Sequence, residues 1–377
     1  MEQDRKGELC VMNSQIIRMS NVKRTWPVLF ALLLLVAPAA VQAQFGYVTN
    51  ANDTNTISIT YYIGPGGAVT VPTTINGLTV TSIEYHAFSA NNSMTSVTIP
   101  GSVTSIGDYA FAGCIVLTSV TIPASVTSIG ADAFSACESL TNASIADGVT
   151  NIGTFAFSDC NHLTSVTIPG TVTSIGENAF GECFSLTNVT IPGSVTRIAE
   201  GTFGQCRLLA NVTIPASVTN IGGGAFTDCE SLTSLTIPAS VTSIGEGAFF
   251  NCYRLASLFF EGNAPAADAS VFDNDTNETV YYLPGTTGWS STFGGCLAVL
   301  WNPTIQASGS SFGLSNNQFG FNITGATNAP IVVEACTNLA SPVWISLTNA
   351  TLTKGLFYFS DPQWTNHSVR YYRISSP

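Results

Sequence analysis

A strict period of 23 residues governs the apolar positions in the middle of the chain. Phe recurs at this spacing from Phe88 to Phe249, and Cys follows it by three places from Cys114 to Cys252. Leu lies three places after each Cys, and Ile lies five places before each Phe. A repeat of this length indicates a solenoid, in which each unit buries its apolar side chains only against its neighbours.

One unit also predicts its own secondary structure. Residues 117–122 (Leu-Thr-Ser-Val-Thr-Ile) alternate apolar and hydroxyl side chains, which is typical of a short β-strand. Pro123 cannot donate to a sheet ladder and ends the strand, Gly130 indicates a turn, and Ala133–Phe134 lie in a short non-strand or 3₁₀ segment. We expect about nine to ten stacked coils, with parallel strands about 4.8 Å apart and inward ladders of Leu, Val, Ile, Phe and Cys.

The unit L-x-x-V-x-I-P-x-x-V-x-x-I-G-x-x-A-F-x-x-C resembles the repeat of the BspA-like leucine-rich repeat family of bacterial surface proteins. Two units depart from it: Ala143 and Ala146 replace the strand Val and the Pro, and Ala199 and Thr202 replace the Gly and the Ala. The resemblance implies a leucine-rich-repeat horseshoe with a parallel β-sheet. It also implies a surface or secreted protein that acts by adhesion or binding, and it supplies no catalytic residue.

The two ends of the chain break the period. Residues 1–43 are predicted to hold an N-terminal extension and a secretory signal peptide, because Lys23 and Arg24 precede a short apolar run and an A-x-A-like end at Ala43. The expected mature chain starts near Gln44 and has no transmembrane segment. These features favour a secreted or cell-surface location.

Three further parts are expected after the signal peptide. Residues 44–301 form the solenoid with its terminal caps, and residues 302–311 read as a linker. Residues 312–377 contain five short β-like runs and no helical pattern, which predicts a small all-β, sandwich-like tail.

The net charge of the chain argues against two classes of partner, both of them polyanionic. Only 9% of the 377 residues are charged, and the net charge is −12. Removal of residues 1–43 takes away five Lys or Arg and three Asp or Glu, which leaves a net charge of −14. Nucleic acid and anionic membranes are therefore not expected as partners, because both require a basic surface.

The residues that could carry chemistry allow several interpretations. The cysteine ladder could be a column of buried reduced thiols, a set of disulfides between adjacent rungs, or, with less geometric support, metal ligands. Recurrent acidic residues after the Ile-Gly turn and beside the ladder cysteines could bind Ca²⁺ weakly or could form a solvated turn. His86, His162 and His367 show no catalytic spacing, so we expect no enzyme and no cofactor.

The outward positions of the predicted strands are the best candidates for ligand contact. They carry short hydroxyl and amide side chains without an aromatic residue or Arg, which favours glycans or weak multivalent contacts over one tight protein site. These candidates are Ser119, Thr121, Ser165, Thr167, Asn188, Thr190, Asn211, Thr213, Ser234 and Thr236. The sequence thus predicts a module that binds an extracellular protein or glycan. Two alternatives stay open: Ser and Thr merely suit exposed strands, or the solenoid is a structural spacer whose tail serves attachment or export.

Overall fold

The computed structural model of the chain describes residues 42–267, 269–273 and 278–377. The predicted signal peptide therefore lies outside the described residues, apart from its last two positions. Within the described ranges, no helix has the length and apolar character needed to span a membrane. Residues 45–377 belong to one compact unit.

The solenoid begins with a hairpin that covers its first coil. Strands β1 and β2 pair in antiparallel fashion, and β4 folds back on β5. The parallel stacking starts where β2 pairs with β5 and β3 pairs with β6. The strands of this region are β1 (Phe45–Asn50), β2 (Asp53–Tyr62), β3 (Gly67–Thr70), β4 (Thr74–Ile75), β5 (Leu78–Ile83) and β6 (Met94–Thr98).

Each regular coil contributes two strands to two separate parallel sheets. The longer, even-numbered strands stack on one side of the coil, and the two-residue, odd-numbered strands stack on another. Pairing keeps a shift of 23 residues, as where Val120 lies opposite Ala143. These strands are β7 (Ser105–Ile106), β8 (Ser119–Ile122), β9 (Ser128–Ile129), β10 (Asn142–Ile145), β11 (Asn151–Ile152), β12 (Ser165–Thr167), β13 (Ser174–Ile175), β14 (Asn188–Thr190), β15 (Arg197–Ile198), β16 (Asn211–Thr213), β17 (Asn220–Ile221), β18 (Ser234–Ile237) and β19 (Ser243–Ile244). The sequence predicted one strand per coil, so the second sheet is an addition.

A turn segment around each ladder Phe closes the coil on its third side. Backbone N–H groups in this segment donate to the next coil: Phe88 donates to Ala110 at 2.7 Å, and Ala90 donates to Ala112 at 2.7 Å. The residues two places before and two places after each Phe have a positive φ, as at Asp132 (53°) and Ala136 (53°). The segment is therefore not a strand, in agreement with the sequence, and its backbone bonds bind coil to coil.

The core between these three sides consists of parallel side-chain ladders. The rings from Phe88 to Phe272 stack in one column, with centroids 4.9–5.7 Å apart and planes within 18° of parallel. The ladder rings from Phe88 to Phe249 are buried, as are the Leu and Ile of each unit. A parallel β-solenoid of about ten turns followed by an all-β region confirms the predicted fold class.

The C-terminal part consists of the last coils and the tail. Strands β20, β21 and β23 continue the parallel stack of the long strands. The tail forms two antiparallel sheets, one from β24, β25, β26 and β29 and one from β27, β28 and β30. The elements are β20 (Ser257–Phe260), a 3₁₀ helix (Ala269–Phe272), β21 (Thr279–Tyr282), β22 (Thr292–Phe293), β23 (Cys296–Leu300), β24 (Thr304–Gln306), β25 (Gly313–Ser315), β26 (Gln318–Thr324), β27 (Pro330–Cys336), β28 (Ile345–Thr351), β29 (Leu356–Asp361), a 3₁₀ helix (Trp364–Asn366) and β30 (Tyr371–Ser375).

The expected linker is partly structured. Thr304–Gln306, within residues 302–311, pairs with β26 as an antiparallel strand of the tail. The pairing satisfies backbone groups that a solvated linker would leave to water.

Candidate functional site

The long strands present a continuous face of short polar side chains, which we call the strand face. Eight of the ten predicted ligand-facing positions are exposed on it, and the other two are half-buried. Neighbouring rungs contact one another through their amides: Asn142 Nδ2 donates to Ser165 Oγ at 3.3 Å, and Asn211 Nδ2 donates to Asn188 Oδ1 at 2.9 Å. The half-buried positions are Ser234 and Thr236, at the C-terminal end of the face.

The outward row of the strand face changes character after Thr236. In register with Thr236, the next strands carry Phe259, Tyr281 and Val299. Phe259 and Tyr281 are only 4% exposed and stack with ring centroids 5.1 Å apart. An apolar side chain at an outward position needs a cover, and the tail supplies it.

The tail docks on these aromatic residues and shares a core with them. Phe259, Tyr281 and Trp301 belong to one buried cluster that also contains residues of the tail, among them Phe321 and Ile331. Two hydrogen bonds cross the junction: Tyr281 Oη donates to the Asn328 carbonyl at 3.2 Å, and Trp301 Nε1 donates to the Pro330 carbonyl at 3.1 Å. The tail therefore closes the strand face at one end.

A cavity of about 570 Å³ lies where the strand face meets the tail, and we call it the corner cavity. Four predicted positions, Asn211, Thr213, Ser234 and Thr236, line it together with Glu261 and Pro377. Sequence reasoning missed Glu261 and Pro377, because neither belongs to the repeat. The run Leu258-Phe-Phe breaks the alternation of apolar and polar residues. This break could have predicted that the strand face is covered by another part of the chain at this point.

The ladder cysteines point into the core, and the six from Cys114 to Cys229 are free thiols. Each ladder Sγ donates a hydrogen bond to the carbonyl of the Phe 26 residues earlier, at 3.1–3.3 Å, as Cys183 does to Phe157. Burial raises the pKa of the Cys183 and Cys206 thiols well above their ordinary value, and burial raises the pKa of Cys114 to about 11. The protonated thiol thus acts as a hydrogen-bond donor between coils. This geometry supports the reduced-thiol interpretation over disulfides.

The seven ladder thiols should resist labelling in the folded protein. Burial keeps them protonated and out of reach, whereas the thiolate is the reactive form. Titration with a chromogenic disulfide reagent at pH 8, without reductant, should therefore be slow in buffer. In denaturant it should gain the seven ladder groups, in addition to any contribution from Cys296 and Cys336, which are also buried. Cys183→Ala should lower that gain by one. A gain of only one or two groups would show that the ladder is oxidised.

The other candidates for chemistry are not brought together. His86 lies in the first regular coil, His162 donates from Nδ1 to the Glu138 carbonyl at 2.7 Å, and His367 lies in the tail. The Asp108 carboxylate accepts a hydrogen bond from the Ala131 N–H at 2.7 Å and thereby joins two neighbouring coils. Among the described residues, no group of three His, Cys, Asp or Glu could hold a metal ion.

Comparison with known families agrees with this geometry. The sequence model described as "BspA type Leucine rich repeat region" matches residues 81–209 and 200–308, in six copies. The chain belongs to this BspA-type leucine-rich repeat family. The matched residues include the regular coils and the last coils of the solenoid. Among curated proteins, none is similar enough in sequence to match.

Solved structures of bacterial leucine-rich repeat proteins are similar to this BspA-type chain. A leucine-rich repeat protein from Bacteroides ovatus is 27% identical, with a TM-score of 0.50 over 63% of this chain and 70% of that one. A leucine-rich repeat protein from T. pallidum is 31% identical, with a TM-score of 0.46 over 56% of this chain and 88% of that one. A leucine-rich cell surface protein from Faecalibacterium prausnitzii is 27% identical, with a TM-score of 0.40 over 65% of this chain and 88% of that one.

Proposed function

We propose that this protein is an exported, surface-type binding protein that recognises an extracellular ligand on its strand face, at the corner cavity. The cavity carries the proposal, because it joins four outward polar positions to Glu261 in one concave site. Ligand sites are concave and place a few convergent polar groups in a largely preformed wall. The proposal assigns the protein to binding rather than to catalysis.

A glycan suits the chemistry of the corner cavity better than a protein does. Asn211, Thr213 and Ser234 offer amide and hydroxyl groups that both donate and accept, as the hydroxyls of a sugar require. The strand face has no Trp, Tyr or Arg at the predicted positions, and these residues dominate the energetics of protein interfaces. Repeated, equivalent rungs beside the cavity would add weak contacts along a longer chain.

The double variant Asn211→Ala, Ser234→Ala tests the proposal. The protein should be purified from the exported fraction, where its intact mass also checks the expected start near Gln44. A glycan array would identify a ligand, and calorimetry should then show about 5- to 150-fold weaker binding for the double variant, since lost hydrogen bonds contribute about 0.5–1.5 kcal/mol each.

The matched control is Asn142→Ala, Ser165→Ala, which removes the same groups from the strand face away from the cavity. Its affinity should stay close to that of the parent protein. Equal loss in both double variants would move the site away from the corner cavity, and unchanged affinity in the cavity variant would refute the proposal.

The docked tail also favours a second candidate, a structural surface spacer whose tail serves attachment or export. The shared core of Phe259, Trp301 and Phe321 would transmit a fixed orientation from an attached tail to the solenoid. A spacer needs no ligand, so it predicts that cells carrying the cavity variant behave like cells carrying the parent protein. Retention of the protein at the surface would then depend on the tail alone.

A further inference from the structure

A second surface, formed by the turn segments and not by the strand face, carries a different side-chain series. One position of each turn segment, two places before the ladder Phe, has a positive φ. We call these positions the turn row. The turn row consists of His86, Tyr109, Asp132, Phe155, Asn178, Gly201, Gly224 and Gly247.

The first half of the turn row carries an exposed aromatic cluster. The rings of Tyr85 and His86 lie 4.1 Å apart between centroids, and the rings of His86 and Tyr109 stack at 5.0 Å. Tyr85 is 61% exposed and Phe155 is 40% exposed. The Asp132 carboxylate accepts a hydrogen bond from the Tyr109 hydroxyl, which raises the pKa of Tyr109. The cluster is thus held in place although it faces solvent.

The backbone conformation at these aromatic residues is strained. Their φ values are 57° at His86, 56° at Tyr109 and 54° at Phe155, a region that bulky side chains rarely adopt. The same fold accepts glycine at Gly201, Gly224 and Gly247. Tyr109 and Phe155 therefore occupy positions where the later coils use glycine, and they bury only part of their side chains in return: Tyr109 is half-buried and Phe155 is 40% exposed. Strained residues of this kind cluster at functional sites.

A groove of about 650 Å³ continues the turn row beyond the aromatic cluster. Phe155 stands at one end and Phe250 at the other, with the glycine positions of the row as the floor. Asn178, Gln205 and Glu200 line it with amide and carboxylate groups. The groove thus spans several coils along the stacking direction, with an aromatic ring at each end and hydrogen-bonding groups between them.

We propose that the turn row binds a linear neutral glycan along the stacking direction, at a site separate from the corner cavity. The rings of Tyr109 and Phe155 would stack against sugar faces, and Asn178, Gln205 and Glu200 would bond the hydroxyls. Tyr109 and Phe155 are two coils apart, about 10 Å, which is the length of one disaccharide in an extended β-linked chain.

Charge and spacing select this ligand over others. Glu182, Glu200 and Glu246 line the groove, so an anionic glycan would meet repulsion. An extended peptide advances about 3.3 Å per residue and does not keep step with rows about 4.8 Å apart. A cationic peptide is therefore the competing ligand that the experiment has to exclude.

The test replaces Tyr109 and Phe155 with the residue that the later coils already use. Tyr109→Gly, Phe155→Gly should keep the chain folded, because glycine suits the positive φ and offsets part of the lost burial. Calorimetry with the hexasaccharides of cellulose, laminarin, xylan and mannan should show binding to at least one by the full chain. The double variant should bind that hexasaccharide at least tenfold more weakly.

Two control variants distinguish the turn row from the rest of the protein surface. Tyr253→Ala removes another exposed tyrosine (58% exposed) outside the turn row and should not change the affinity. Val343→Thr in the tail (73% exposed) should not change it either. A hexasaccharide whose binding is weakened by Asn211→Ala, Ser234→Ala and not by the glycine variant binds the corner cavity instead, so failure of the corner cavity and failure of the turn row are distinguishable. The proposal is overturned if none of the four hexasaccharides binds, if the glycine variant binds normally, or if a lysine-rich peptide binds in a manner that requires Tyr109.

Discussion

Replacement of Phe180 by alanine should lower the free energy of unfolding by about 3–5 kcal/mol, through lost burial and the cavity left behind. Phe180 is fully buried, and its ring lies 5.5 Å from Phe157 and 5.7 Å from Phe203 between centroids. Offset ring pairs contribute roughly 0.5–1.5 kcal/mol beyond area burial, and this substitution removes two of them. Because each coil contacts only its neighbours, the cavity should also uncouple the two halves of the array and broaden the transition in chemical denaturation.

Thr121→Ala is the matched control for Phe180→Ala. Thr121 is exposed on the strand face, so its loss should change the free energy of unfolding by less than about 0.5 kcal/mol. A neutral Phe180→Ala together with an unfolded Thr121→Ala would invert the inward and outward faces. The corner cavity would then lose its role as well.

Replacement of Phe259 by threonine should release the tail from the solenoid. Threonine is the residue at this row position in Thr213 and Thr236, so the coil itself tolerates it. Phe259 is 4% exposed and contacts Tyr281 and Trp301, so its loss should cost about 3 kcal/mol. Limited proteolysis should then cut residues 302–311 faster than in the parent protein.

Val343→Thr is the control for this substitution. Val343 is 73% exposed in the tail, and its replacement should leave both stability and the proteolysis rate nearly unchanged. Equal protection of Phe259→Thr and the parent protein would mean that the tail does not depend on the aromatic row for docking.

The regular features of this fold were accessible from sequence because they repeat. The periodic Phe, Cys, Leu and Ile positions predict which side chains are buried, even where the local conformation is not known. Pro123 separately marks the end of its strand. The second sheet escaped prediction because strands such as Ser105–Ile106 have two residues, too few to show an alternating pattern. What forms it is the backbone pairing to the neighbouring coil, as Gly107 N–H to the Ile83 carbonyl at 2.7 Å.

The oxidation state of the cysteines and the docking of the tail depend on contacts in space that the repeat pattern does not reveal. Sequence spacing places sulfurs on adjacent rungs, which suits thiols or disulfides equally. The acceptor that favours the thiol is a backbone carbonyl 26 residues away, at Phe157 for Cys183. Likewise, Phe259 is an outward position by register, and only the contact with Phe321 and its neighbours accounts for an apolar residue there. The turn row escaped notice because its positive φ values are invisible in the sequence.

The bonds between coils have a consequence for how such a gene changes over time. Each kind of bond joins positions at its own constant separation in the sequence, as shown by Phe88 N–H to the Ala110 carbonyl, Thr127 N–H to the Thr104 carbonyl, and Cys137 Sγ to the Phe111 carbonyl. Unequal recombination that duplicates or deletes one whole 23-residue unit therefore re-forms the same bonds at the new junction. Within the regular coils, an insertion of part of a unit inside a ladder segment shifts the following apolar positions out of register. Related genes can therefore encode a solenoid that is longer or shorter by whole coils. The tail stays docked on the last coil in each case.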